Sequence, residues 1–267
     1  MTSQLIRPAA FTLVAPAHHR VAPDPAPPAA ADPAPPCALT LLGGFHLHLD
    51  GHPVALGPNA QRLLAVLVCL GRQAPRSTVA QLLWPDNRTS RAHANLRTTL
   101  YRLQRVLPDL VLSSKTDLRL APAVGVDIEQ IRTTAISLLT AHPDDPLWTS
   151  RPDWAQFTED LLPAWDDEWL ADHQFSYRRM RLDALERLSA LFVGNGLHGA
   201  AVQAALAVLQ ADELRDTAHE TLIRAYLAQG NRNDAIVQFG TYRRLLRDEL
   251  GLEPPEALDR LLWSHAA

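Results

Sequence analysis

The feature of this sequence that most constrains its fold is an internal repeat with a period of 34 residues in the C-terminal third. Four positions of the first copy recur in the second as residues of the same kind. They are an apolar residue, an aromatic residue, a glycine and an alanine. The pairs are Leu188 and Leu222, Phe192 and Tyr226, Gly196 and Gly230, and Ala201 and Ala235. An aromatic side chain, a glycine at the turn and a small residue in the next helix allow two helices to cross closely. The repeat therefore predicts stacked helix–turn–helix units.

Helical repeats of this tetratricopeptide-like kind bury their apolar faces against neighbouring repeats and need caps at both ends. Because the sequence shows two clear copies, we expect the helices that begin at Asp127 and the segment after Gly251 to act as the caps. A less regular, proline-containing stretch covers residues 141–163. We assign residues 126–267 to an α-helical, tetratricopeptide-like repeat domain.

Two short β-hairpins are predicted in the part of the chain that precedes these helices. Apolar and polar residues alternate from Phe45 to Leu49, and Asp50-Gly51 supplies a turn after them. Further along, Leu110–Leu112 and Leu118–Leu120 flank a polar turn at Ser113–Asp117. The second hairpin has the form of a wing beside a bundle of helices.

Three helices are predicted between the hairpins. The first covers Asn59–Leu70, and the second, Val79–Trp84, is capped by Ser77 or Thr78. The third begins after Ser90 and runs to about Leu107, where a proline stops it. A hairpin, three helices and a second hairpin follow one another in the order of a winged helix, which we assign to residues 39–125. The predicted fold class is therefore mainly α, a winged helix-turn-helix followed by helical repeats.

The third helix is amphipathic, with one apolar and one cationic face. Its apolar face consists of Ala92, Leu96, Thr99, Leu100, Leu103 and Leu107. The opposite side, which we call the arginine face, consists of Arg91, Ala94, Thr98, Tyr101, Arg102 and Arg105, with Asn95 and Arg97 at its edges. Between Asn87 and Leu107 there are five arginines and no carboxylate. Without acidic residues one turn away, these arginines lack the ion pairs that stabilise an ordinary solvated helix.

The net charge of the chain, −4, divides unevenly between the two predicted domains. Residues 39–125 carry 10 lysines and arginines against 4 acidic residues, whereas residues 126–267 carry 13 against 23. A basic domain facing a polyanion and an acidic domain with another role would account for this division.

An arginine-bearing helix of this kind suits the major groove of duplex DNA, because guanidinium groups bind both phosphates and guanine. The residues predicted to lie near the bases are Arg91, Asn95, Thr98 and Arg102. Those predicted to contact phosphates are Arg88, Arg97, Tyr101 and Arg105, and the wing adds Ser113, Ser114, Lys115 and Arg119. If about six phosphates are neutralised, the logarithm of the affinity should fall with the logarithm of the salt concentration with a slope of about −5.

Other classes of function have weaker support. His46, His48 and His52 share a hairpin, but no cysteine or carboxylate joins them at the spacing of a metal site, so we expect neither a metal nor another cofactor. Carboxylates crowd the stretch between Asp144 and Asp160, yet no nucleophile and base motif accompanies them, and we expect no enzyme. A helical-repeat scaffold that binds proteins and ignores DNA remains the alternative.

The remaining features concern the acidic half, the N-terminal segment and the cellular compartment. Trp165 and Trp169 are interpreted as core anchors and the acids around them as a solvated face. Residues 1–38 hold nine of the 21 prolines, mostly separated by alanine, which predicts a disordered tail. We expect no secretory signal, no membrane span and no disulfide framework from the two cysteines, and therefore a cytoplasmic protein.

Several motifs resemble one family of bacterial regulators. Gln61-Arg62, Leu82–Trp84, Arg91–Leu103 and Val126–Ile128 look like the OmpR-like winged helix of the Streptomyces antibiotic regulatory proteins. Leu161–Leu170, Asp216–Tyr226 and Tyr242–Pro254 are similar to the bacterial transcriptional activation domain of the same regulators. The two matches follow the order of the family.

The resemblance implies a transcriptional activator that binds repeated elements upstream of promoters, often in biosynthetic gene clusters, and recruits RNA polymerase through contacts with its subunits. It also implies a homodimer or tandem copies on DNA, with Arg91–Leu107 as the recognition helix and Ser113–Arg119 as the wing. Two departures are visible. Many relatives carry lysine where this chain has Ala60, and the sequence has no glycine-rich phosphate loop of the kind found in relatives with an added ATPase domain.

Overall fold

The computed structural model of the chain describes residues 35–142 and 154–264, so most of the predicted tail lies outside the described residues. The first range forms β1 (Cys37–Thr40), β2 (His46–Leu49), β3 (His52–Pro53), α1 (Pro58–Cys69), β4 (Gln73–Pro75), α2 (Arg76–Leu83), α3 (Thr89–Val106), β5 (Val111–Ser113), β6 (Asp117–Leu120), β7 (Val124–Val126) and α4 (Asp127–Thr140). The second range forms a 3-10 turn (Trp154–Phe157), α5 (Glu168–Gly194), α6 (His198–Ala211), α7 (Asp216–Ala228), α8 (Arg232–Leu250) and α9 (Glu256–Ser264). The predicted fold class is confirmed.

The strands form two small sheets. One has the order β3-β2-β1-β7, with β1 antiparallel to β2 and parallel to β7. The other has the order β4-β6-β5 and contains the predicted wing hairpin. The predicted first hairpin corresponds to β2 and β3, and its turn residues Asp50 and Gly51 have φ values of +48° and +79°. Positive φ at both positions is what a two-residue turn between twisted strands requires.

The predicted helices of the winged helix agree with α1, α2 and α3 to within a few residues at each end. The predicted cap of α2 is wrong. Ser77 and Thr78 lie inside the helix, which begins at Arg76 and has no side-chain cap. The N–H group of Arg76 instead donates a 2.8 Å hydrogen bond to the carbonyl oxygen of Thr116 in the wing. A contact distant in sequence therefore provides the acceptor that a capping side chain would otherwise supply.

The 34-residue repeat corresponds to the pairs α5–α6 and α7–α8. Gly196 and Gly230 end the first helix of each pair with φ values of +74° and +79°, a conformation that favours glycine. The small residues Ala201 and Ala235 are fully buried where the second helix crosses the first. α9 caps the last pair through buried Leu258 and Leu262. Among the described residues, no helix has the length and apolar character needed to cross a bilayer.

The carboxylate of Asp127, the first residue of α4, joins the two halves of the protein. It accepts hydrogen bonds from the N–H groups of Leu41, at 2.9 and 3.0 Å, and of Leu42, at 2.9 Å, just after β1. A third donor is the N–H of Ile128, at 2.7 Å. Burial raises the pKa of Asp127 above its ordinary value, and the backbone donors offset part of this effect. The contact fixes the start of the helical half against the edge of the N-terminal sheet.

The stretch before α5 extends this junction. Leu42 and Leu161 form an antiparallel bridge, and the N–H of Leu162 donates to the carbonyl of Leu41 at 2.9 Å. The rings of Phe45 and Trp165 stack with centroids 6.2 Å apart. Buried residues from β1 through α7 belong to one continuous hydrophobic cluster. The winged helix and the first helical repeat therefore share a core.

One acid near the tryptophans does not behave as predicted. Trp165 and Trp169 pack against the core, as expected of anchors, and Asp166, Glu168 and Asp172 are exposed. Asp167, however, forms an ion pair with Arg62 of α1 and also accepts a 3.2 Å hydrogen bond from the Trp169 indole nitrogen. The interpretation of Asp167 as part of a solvated face is therefore wrong, because this carboxylate lies at the junction between the halves.

A buried histidine lies within the second repeat. His219 is 3% exposed; its Nε2 lies 2.8 Å from the carbonyl oxygen of Glu213 and its Nδ1 lies 2.9 Å from the amide nitrogen of Gln238. Its ring stacks on Tyr242 with centroids 4.1 Å apart. A neutral imidazole satisfies both contacts, donating through Nε2 and accepting at Nδ1. Burial lowers the pKa of His219 below its ordinary value.

We expect substitution of Asp127 by alanine to lower the free energy of unfolding by about 2–4 kcal/mol, because several backbone donors lose their acceptor. Asp127→Asn, which keeps one acceptor oxygen, should lose less. The measurement is urea unfolding followed by circular dichroism. Asp109→Ala is the matched control, since Asp109 is exposed. Equal stability of Asp127→Ala and the control would contradict the role of this carboxylate.

We expect the protein to lose stability as the pH falls below about 6.5. In that range the unfolded chain binds a proton at His219 that the folded protein resists, so the free energy of unfolding decreases with decreasing pH. The melting temperature between about pH 7.5 and pH 5.5 should therefore fall less in His219→Gln than in the unsubstituted chain. Burial and Arg132 also lower the pKa of His173, so part of the pH dependence should persist in the variant. An unchanged slope in His219→Gln would refute the assignment.

Candidate nucleic-acid interface

The position of α3 in the bundle determines which of its side chains are accessible. Ala92, Leu96, Leu100 and Leu103 are each less than 5% exposed and pack in the core of the winged helix. Thr99 is also buried, and its hydroxyl donates to the carbonyl oxygen of Asn95 at 3.0 Å. The apolar face predicted from the helical wheel is therefore the buried face, and the arginine face is directed away from the core.

The structure leaves nearly all of the predicted DNA-binding residues exposed. The exposed residues are Arg88, Arg91, Arg97, Thr98, Tyr101, Arg102, Arg105, Ser113, Ser114, Lys115 and Arg119, and Asn95 is half-buried. Tyr101 is 63% exposed, so its ring and hydroxyl are accessible to a ligand. These residues fall into two groups, one along α3 and one in the wing.

The arginines of α3 differ from other arginines of the protein. In the part of the chain that the structure describes, the guanidinium groups of Arg88, Arg91, Arg97, Arg102 and Arg105 form no ion pair and no hydrogen bond. Elsewhere, Arg62 pairs with Asp167, Arg72 with Glu129, Arg181 with Asp160 and Arg215 with Asp183. These five guanidinium groups, four of α3 and that of Arg88 just before it, therefore have their donors available to an external anion.

The residues predicted to contact DNA are distributed along the length of α3. Arg91 lies in the first turn, whereas Arg102 lies in the last third and borders a hollow of about 240 Å³ beside Gly57 and Pro58 at the start of α1. The hydroxyl of Thr98 donates to the carbonyl oxygen of Ala94 at 3.1 Å and still has its lone pairs exposed. Arg91, Asn95 and Arg97 lie in the first half of α3 and Thr98, Tyr101, Arg102 and Arg105 in its second half, so arginines are presented along the whole helix.

The wing holds its predicted residues in different roles. The Ser114 hydroxyl accepts hydrogen bonds from the N–H groups of Thr116, at 3.2 Å, and Asp117, at 2.9 Å, and so closes the turn. The Ser113 hydroxyl accepts a 2.5 Å hydrogen bond from Arg76. Lys115, the single lysine of the chain, is exposed in the turn. Lys115 is therefore available to an external anion, whereas both serines are engaged within the protein.

Arg76 is a residue that the sequence analysis missed. Arg76 precedes Ser113 by 37 residues in the sequence. The pairing of β4 with β6 brings it beside the wing. The residue type gave no signal by itself, because an arginine at the start of a short helix is common on protein surfaces.

The acidic stretch considered for catalysis has another role where the structure describes it. Asp160 lies 2.5 Å from Nη2 of Arg181, a side chain only 3% exposed, and 3.5 Å from Arg178. Arg181 also donates to the carbonyl of Phe157 at 3.1 Å. Asp160 therefore attaches the segment before α5 to that helix. Asp144, Asp145 and Asp153 lie outside the described residues.

Comparisons with known proteins agree with this architecture. Residues 155–263 match the family model of the bacterial transcriptional activator domain. The regulatory protein AfsR of Streptomyces coelicolor is 30% identical over 234 residues, which cover 83% of this chain and 23% of that protein. AfsR of Streptomyces griseus is 27% identical over 261 residues, covering 90% and 25% respectively. The chain thus spans about a quarter of the length of these relatives.

The fold is also found in a solved structure. Mycobacterium tuberculosis EmbR, in complex with a low affinity phosphopeptide, superposes with a TM-score of 0.71 and 17% sequence identity, over 86% of this chain and 65% of that one. At this identity the likeness shows the fold. The match of residues 155–263 to the family model and the similarity to AfsR confirm the predicted resemblance to the Streptomyces antibiotic regulatory proteins with a bacterial transcriptional activation domain.

Proposed function

We propose that the protein is a sequence-specific DNA-binding transcriptional activator whose helix α3 enters the major groove. The observation that carries the proposal is the arginine face of α3, exposed and without carboxylate partners among the described residues. The buried leucines behind it hold the helix against α1 and α2, so the guanidinium groups are presented on a rigid support. Groups held in place before binding lose less conformational entropy when they bind.

Within this proposal the predicted residues of α3 and its N-terminus form two groups with different contacts. Arg91, Asn95, Thr98 and Arg102 read base edges, since arginine and asparagine can form paired hydrogen bonds with guanine and adenine. Arg88, Arg97, Tyr101 and Arg105 bind phosphates on either side of the groove. Lys115 and Arg119 of the wing, with Ser113 and Ser114 supporting the turn, reach the neighbouring backbone.

The activator domain supplies the second part of the proposal. Its family match supports a regulator of transcription, and we infer that the protein binds repeated promoter elements as a homodimer or as tandem copies. We infer that it recruits RNA polymerase through polymerase subunits at the promoters of a biosynthetic or pathway-specific gene cluster. The protein acts in the cytoplasm without a cofactor, a membrane partner or an enzymatic step of its own.

The alternative is a helical-repeat scaffold that binds other proteins and does not bind DNA. The exposed side chain of Phe175 on α5, 68% accessible, offers such a scaffold an apolar contact. This alternative leaves the arginine face without a ligand, and salt-dependent binding to duplex DNA distinguishes the two.

We expect the double substitution Arg91→Ala and Arg102→Ala to weaken binding to a specific duplex by about 1–3 kcal/mol for each arginine that reads a base. The duplex is recovered by selection from a random-sequence library with the full chain, and affinity is measured by fluorescence anisotropy. Arg179→Ala is the matched control, since Arg179 is an exposed arginine of α5. Full sequence-selective affinity in the double variant would overturn the assignment of α3.

We expect the affinity of the full chain for duplex DNA to fall with salt at a logarithmic slope of about −5. Arg105→Ala, which removes one phosphate contact, should make the slope less steep by about 0.9 and weaken binding to all sequences alike. Titrations at several salt concentrations on the selected duplex and on a scrambled duplex measure both effects. A slope near zero for the unsubstituted chain would favour the scaffold.

A further inference from the structure

The wing is attached to the start of α2 by one arginine. Nη1 of Arg76 donates to the Ser113 hydroxyl at 2.5 Å and lies 3.4 Å from the carbonyl oxygen of Ser114. The backbone N–H of Arg76 donates to the carbonyl of Thr116 at 2.8 Å. One residue thus contacts three of the first four residues of the wing turn, Ser113–Thr116.

Hydrogen bonds inside the turn complete its shape. The N–H of Ser114 donates to the carbonyl of Asp117 at 2.9 Å, and the Ser114 hydroxyl accepts from two backbone N–H groups. The carboxylate of Asp117 accepts a 2.5 Å hydrogen bond from the Thr116 hydroxyl. Among the described residues, the side chain of Lys115 forms no hydrogen bond and no ion pair, and it lies between these fixed positions.

The strand register explains why Arg76 reaches the wing. Pro75 pairs with Asp117 across β4 and β6, so the next residue of the chain lies beside the turn. Arg76 is half-buried and, in the described ranges, has no carboxylate partner. Both acceptors are reached by Nη1, which lies one bond farther from the backbone than the side-chain nitrogen of a lysine, so we expect a lysine at this position to fall short of them.

We propose that Arg76 is a positioning residue for DNA binding, which holds the wing turn so that Lys115 reaches a phosphate of the DNA backbone. This inference rests on the proposed function. Without Arg76, the oxygens of Ser113 and Ser114 lose their donor and the turn becomes mobile. Binding must then order the turn, and the loss of conformational freedom reduces the affinity.

The test compares Arg76→Ala and Arg76→Lys in the full chain, with and without Lys115→Ala. The probe is a mixed-sequence duplex of about 30 base pairs at about 50 mM salt, where phosphate contacts dominate the affinity. Both Arg76 variants should lose about five- to tenfold in affinity, because one charge-assisted hydrogen bond and the order of the turn are lost. In the Lys115→Ala background, the same substitutions should change the affinity by less than about twofold.

Two results would overturn the proposal. Full affinity of Arg76→Lys would show that only the charge matters, and an equal loss from Arg76→Ala in both backgrounds would show that Arg76 does not act through Lys115. If Arg76→Ala fails to fold, Ser113→Ala tests the same contact without removing a charge, and it should lose affinity only when Lys115 is present. Melting temperatures and amide hydrogen exchange at Thr116 and Asp117 measure the order of the turn separately.

Controls distinguish this proposal from the proposed function. Arg179→Ala should bind as the unsubstituted chain does. If the Arg91→Ala, Arg102→Ala variant also binds the selected duplex without loss, the assignment of α3 to DNA fails. If that variant loses affinity while Arg76→Lys does not, only the role of Arg76 fails.

Discussion

The arrangement of the molecule depends on the carboxylate of Asp127, which accepts hydrogen bonds from backbone N–H groups. Asp127 begins α4, and its donors at Leu41 and Leu42 follow the central strand β1. Because β7 ends one residue earlier and pairs in parallel with β1, the carboxylate fixes the direction in which the chain leaves the sheet. The backbone bridge to Leu161 then adds a second attachment in the same place. The helical half is therefore bound to the sheet at its first residue.

Further contacts hold the winged helix, which carries the arginine face of α3, against the helical half. One hydrophobic cluster extends from β1 to α7, and the Arg62–Asp167 ion pair connects α1 with the start of α5. Arginines at the junction are neutralised by carboxylates, whereas those of α3 are not. The arginines named at the junction are thus paired with carboxylates, whereas the guanidinium groups of α3 remain available to an external anion, as the proposed DNA binding requires.

Local sequence patterns predicted much of this correctly. The apolar wheel of α3 and the glycines at positions 196 and 230 depend on spacing within a helix or at one turn, and the structure agrees with both. Patterns of this kind did not predict what caps α2, what Asp167 contacts or what Arg76 contacts. In each case the partner lies between about forty and one hundred positions away in the sequence. An acid before a helix or an arginine after a strand has the same local pattern whether it meets solvent or a distant partner, so no periodicity could have identified these pairs.

The amino-acid order alone established the helical repeat, the winged-helix order of elements and the acid-free cationic side of α3, because each follows from periodicity and turn chemistry over short distances. The tertiary structure determined which charged side chains form ion pairs or hydrogen bonds within the protein. Arg62, Arg72 and Arg76 are indistinguishable in type from Arg91 or Arg102, and they differ only in the neighbours that strand pairing and helix packing bring to them. Electrostatic interactions act through space, and the chain's linear order does not specify those distances.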